Sequence, residues 1–77
     1  MNRRSNHQVL KIAVLVMDEK AIQCMIKRLS ETTATLEVPN TVGIPEIFDL
    51  VIDGVRRPCH AVWKSATEIQ VKFEWGI

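Results

Sequence analysis

Residues 69–75 alternate without interruption: Ile69, Val71, Phe73 and Trp75 fall on one side, and Gln70, Lys72 and Glu74 on the other. A period of two is the mark of a strand with one face in a core and one in water. Breaks between such runs recur at Asp18-Glu19-Lys20, Glu31-Thr32-Thr33, Pro39-Asn40-Thr41 with Gly43 and Pro45, Asp53-Gly54, and Ser65-Ala66-Thr67. Turn residues at this rhythm suit short antiparallel strands joined by tight connections.

The other runs fill in around this frame. Cys59, Ala61 and Trp63 share one face of a strand, with His60, Val62 and Lys64 opposite. Phe48, Leu50 and Ile52 alternate up to Asp53-Gly54, a hairpin dipeptide. Ala34, Leu36 and Val38 form a further short face, and Val9 to Met17 is apolar on both sides, as in a strand covered twice. The run through Ile22, Met25, Ile26 and Leu29 fits a helical stripe, while Ile22, Cys24 and Ile26 fit a strand. The strand keeps the hairpin series regular and is favoured. A single helical turn fits residues 44–48, with Pro45 near its start. Six short strands in 77 residues predict one all-β domain, a small six-stranded antiparallel barrel, because closing the sheet hides its edges. Residues 1–8 are expected to be a flexible N-terminal segment.

Composition excludes several classes. The chain is 47% hydrophobic and 25% charged with a net charge of +1, so no global field draws it to nucleic acid or membrane. The longest apolar run, Ile12 to Met17, is far too short to span a bilayer, and no apolar stretch directly follows Arg3 and Arg4 as in a signal peptide. The expected location is the cytoplasm. Cys24 and Cys59 read as reduced, buried, small hydrophobes. With His7 and His60 they lack the spacing of a metal site, so no metal or other cofactor is expected. No serine, acid and histidine arrangement and no paired carboxylates appear, so no enzyme is expected.

The stretch CMIKRLSETTATLEV, followed by VGIPEIFDLVIDGVRRPCHAVWKSATEIQVKFE, resembles the PilZ domain family, small bacterial β-barrels that serve as receptors for cyclic di-GMP. The matching residues are Cys24, Leu29-Ser30-Glu31, Ala34, Leu36, Ile44-Pro45, Phe48, Leu50, Arg57, Cys59, Val62-Trp63, Ile69, Val71 and Phe73, and Trp63 matches a family core position, which the resemblance implies is packed inside. They hold in order and spacing over residues 3 to 74. The family's receptors carry an N-terminal R-x-x-x-R and a D/N-x-S-x-x-G in the loop between the second and third strands. Arginine forks suit both the adjacent acceptors of guanine and the phosphate oxygens.

The resemblance implies such a ligand, but the motifs depart from it. In Arg28-Leu29-Ser30-Glu31-Thr32-Thr33 the serine is kept, Arg28 stands where an acid or amide is expected, and Thr33 stands where glycine is expected. No register of the N-terminus places arginine at both ends of the first motif. Each lost bidentate base contact removes about 1–3 kcal/mol.

The expected function is therefore a PilZ-type signalling module with weak or lost nucleotide binding, acting as an adaptor for a protein partner or by self-association. The alternative is a working cyclic di-GMP sensor using Arg3, Arg4, Arg28 and Ser30. A third, weaker reading, a binder of RNA or single-stranded DNA, lacks the aromatic residues for it. Many family members follow the last strand with a helix, which is not expected here, so Trp75, Phe73 or a strand edge is the expected partner surface.

Overall fold

The computed structural model describes residues 7–74. Six strands follow in chain order: β1 (His7–Met17), β2 (Lys20–Leu29), β3 (Thr33–Glu37), β4 (Ile47–Ile52), β5 (Val55–Lys64) and β6 (Glu68–Phe73). All pairings are antiparallel, and the strands close into a barrel in the order β1-β2-β3-β6-β5-β4. The all-β six-stranded barrel expected from the alternation is thus the observed fold. The ambiguous segment after Lys20 is strand β2. Of the segment expected to be flexible, His7 and Gln8 begin β1, opposite Leu29 and Arg28, and residues 1–6 lie outside the described residues.

The period of two sorts the side chains. Leu15, Ile26, Leu36, Leu50, Cys59, Ile69 and Val71 are fully buried, and the core among the described residues contains no polar side chain. The turns follow from residue chemistry. Asp53 and Gly54 both have positive φ, 53° and 81°, and join Ile52 to Val55 in a two-residue hairpin. Such a turn matches the right-handed twist of its strands, and aspartate and glycine tolerate its backbone best. Asp18, at φ 47°, turns the β1–β2 hairpin in the same region.

Two sequence expectations are corrected. Residues 44–48 form no helical turn: the chain turns one step earlier, at Val42 and Gly43, where Gly43 has φ 85°. Ile44 then enters the core, and the Glu46 carbonyl already accepts a hydrogen bond from Ala61 N–H at 2.7 Å. That bond extends the β4–β5 ladder and leaves no residues for a helix. Trp63 is not in the core but is 52% exposed. A β-bulge lies between Ala61 and Trp63, so Ala61 faces Val71 whereas Trp63 faces Gln70. The extra residue, Val62, reverses the alternation and turns the indole outward.

Cys24 and Cys59 are buried free thiols, and burial pushes their pKa up to about 11 and about 12, from about 9. A thiol whose pKa is raised by folding contributes stability that is complete below the unfolded pKa and is lost as pH rises through the folded value. Denaturation midpoints should therefore hold steady up to about pH 9 and fall as pH climbs towards 11. Both thiols should react with a thiol reagent only as fast as the barrel opens, as read by mass spectrometry with and without urea. Leu50→Ala should lower stability by about 2–5 kcal/mol in urea denaturation, because it opens a void at a fully buried site.

Candidate functional site

Two neighbouring regions carry the residues singled out from the sequence: the β2–β3 loop, and the outer wall formed by β2, β3, β6 and β5.

The loop is held by its own side chains. Ser30 N–H donates to the Thr33 carbonyl at 2.9 Å. Ser30 Oγ accepts from Thr33 N–H at 3.1 Å and from Thr32 N–H at 3.3 Å, and lies 2.8 Å from Thr33 Oγ1. A hydroxyl has one proton to donate and two lone pairs, so these contacts use its full capacity. Thr33 is not among the residues with positive φ. The loop consequently has no need of a glycine at that position.

Arg57 ties this loop to the barrel end. Its guanidinium lies 3.7 Å from the centroid of the Phe73 ring, a cation–π contact, and donates to the Glu31 carbonyl at 3.1 Å. Phe73 N–H also donates to the Thr32 carbonyl at 2.8 Å. Two successive loop carbonyls are thereby pinned against β5 and β6. Phe73 is 4% exposed, which corrects its expected place on a partner surface. It continues the inward row of Ile69 and Val71 and is covered by Arg57. Trp75, Arg3 and Arg4 lie outside the described residues.

The outer wall presents a different arrangement. Arg28 is opposite Thr35, Thr35 opposite Gln70, and Gln70 opposite Trp63. Their side chains form one row across four strands and line a groove of about 350 Å³, bordered by Lys27 and Glu68. Both ends of the row depend on bulges, one between Ile26 and Arg28 and one between Ala61 and Trp63. Lys27 is paired with Glu68 at 2.9 Å, which also raises the lysine pKa. The exposed Arg28 makes no hydrogen bond or ion pair among the described residues. Ser30 does not line this groove, so the structure separates the two sequence candidates that it describes.

Several other cations are engaged. Arg56 pairs with Asp49 at 2.7 Å and Lys11 with Asp53 at 2.7 Å. Lys64 Nζ donates to the Ile44 carbonyl at 2.6 Å. His60 Nδ1 is 3.3 Å from Glu74. Trp63 is a residue of this groove that sequence reasoning placed in the core. The signal that could have found it is the break in the strand pattern at Val62-Trp63, where two large apolar residues adjoin.

The chain matches no protein-family model and no curated protein.

Ser30→Ala should destabilise the protein by about 1 kcal/mol, the net value of a hydroxyl that satisfies backbone donors. Hydrogen exchange should speed up at Thr32 and Thr33 and leave the central strands unchanged.

Proposed function

We propose that this chain is a non-enzymatic, cytoplasmic PilZ-like signalling module that works as a protein-interaction adaptor, with cyclic di-GMP binding weak or lost. The observation that carries this proposal is the closed bonding of the β2–β3 loop. The Ser30 hydroxyl, which the family motif would turn towards guanine, is committed to Thr32 and Thr33. A guanine edge would have to displace those bonds and would gain little in exchange. Arg28, in place of an acid or amide, offers donors where the motif offers an acceptor. The pinning of the loop by Arg57 adds a cost to any rearrangement.

A second reading, a working sensor, is favoured by one specific observation: the row of Arg28, Thr35, Gln70 and Trp63. An exposed indole is a platform for a planar base, worth about 1–3 kcal/mol per stacked base, and an unpaired arginine suits a phosphate. In that reading Arg3, Arg4 and Ser30 supply the remaining contacts.

Calorimetric titration with cyclic di-GMP at physiological salt separates the two. The adaptor predicts no saturable heat up to high micromolar ligand. Micromolar binding that Arg28→Ala and Trp63→Ala each abolish would establish the sensor instead.

A further inference from the structure

Strand β1 is apolar on both faces. Ala13, Leu15 and Met17 point into the core, while Leu10, Ile12, Val14 and Val16 alternate with them on the outer side. Such a strand is expected to be covered twice. On its outer side Val14 lies opposite Val51 and Ile12 opposite Met25, so the apolar stripe follows β1 itself, with Gln23, Glu37 and Asp49 in the same rows on the flanking strands. At its N-terminal end the stripe is open, with Leu10 73% and Ile12 56% exposed.

The same end of β1 also has an open edge. β1 pairs with β2 along its length, but with β4 only at Val14, Leu15 and Val16. Among the described residues, no strand pairs with that edge before Val14. Unpaired backbone donors and acceptors on a strand edge are a template for another strand. A lysine normally guards such an edge, but Lys11 is neutralised by Asp53 at 2.7 Å. β2 is likewise open towards β3 before Met25, but that stretch carries Lys20 and Gln23 and no comparable outward stripe.

We infer that β1 is where two copies of this chain join, antiparallel and edge to edge, with Leu10 and Ile12 buried at the junction. The occupant must be a strand, because the edge presents backbone hydrogen-bonding groups. It must be apolar on the outer side, because Leu10, Ile12, Val14 and Val16 of β1 carry no charge there. β1 meets both conditions, and an antiparallel two-fold pairs its edge with itself so that the same patch serves both subunits. The Lys11–Asp53 pairs place both signs of charge beside the axis, and a net charge of +1 per chain adds little repulsion between copies. This inference deepens the adaptor role proposed above and rests on it, naming the partner as a second copy.

Light scattering across a concentration series of the full chain, without nucleotide, tests it. The expected result is a rise from one chain mass to two. Leu10→Lys and Ile12→Lys should each hold the protein at one chain mass, with circular dichroism unchanged and a urea midpoint that no longer rises with protein concentration. Val42→Lys, at an exposed site in the β3–β4 connection, should leave the two-chain mass intact. One chain mass at all concentrations, or a two-chain mass that survives both β1 substitutions, would overturn the inference. A monomer that also takes up no cyclic di-GMP would leave the adaptor role standing with a different partner. A monomer that binds the dinucleotide at micromolar concentration would remove both.

Discussion

The barrel depends on a short seam. β1 and β4 meet over three rungs, Val14–Val51, Leu15–Leu50 and Val16–Asp49, and without them the sheet would be an open ribbon with two exposed edges. Leu15 and Leu50 are opposite one another in this seam and are both fully buried. The closure therefore rests on apolar burial as much as on backbone hydrogen bonds. Because the seam is short and β1 is long, the first half of β1 runs past the point of closure. Among the described residues, the same geometry that completes the barrel leaves β1 without a neighbour on its β4 side before Val14.

Two β-bulges decide what the opposite wall presents. Each inserts a residue, Lys27 in β2 and Val62 in β5, and each reverses the alternation beyond it. Arg28 and Trp63 become the two ends of one cross-strand row, and Lys64 arrives opposite Ile69, with its ammonium group on the Ile44 carbonyl. A strict period of two would have buried Trp63 in a core already filled by Phe48, Phe73 and the aliphatic residues. Between these walls the β2–β3 loop is self-contained. Its serine satisfies its own backbone, and Arg57 and Phe73 hold its carbonyls from outside. Arg28 and Thr33 thus flank a loop that bonds to itself.

Much of the architecture was legible in the residues. Number and order of strands, the inward rows of β3, β4 and β6, the Asp53-Gly54 hairpin and the burial of both cysteines all follow from local alternation and turn chemistry. Those features are local because side-chain direction in a strand reverses at every residue and a two-residue turn is decided by its own φ values. The site was legible only in part. The polar β2–β3 loop around Ser30 shows in the sequence, whereas the groove beside Trp63 does not show in any short window.

What the sequence alone determined is the inside of this protein: which residues alternate into a common core and where the chain must turn, since both depend on neighbours along the chain. What tertiary structure decided is the outside. Whether Val62 becomes a bulge depends on the register of β5 against β6, and whether β1 has a free edge depends on how far β4 extends beside it. Both are properties of strand pairs brought together from distant parts of the chain, and neither strand carries them by itself.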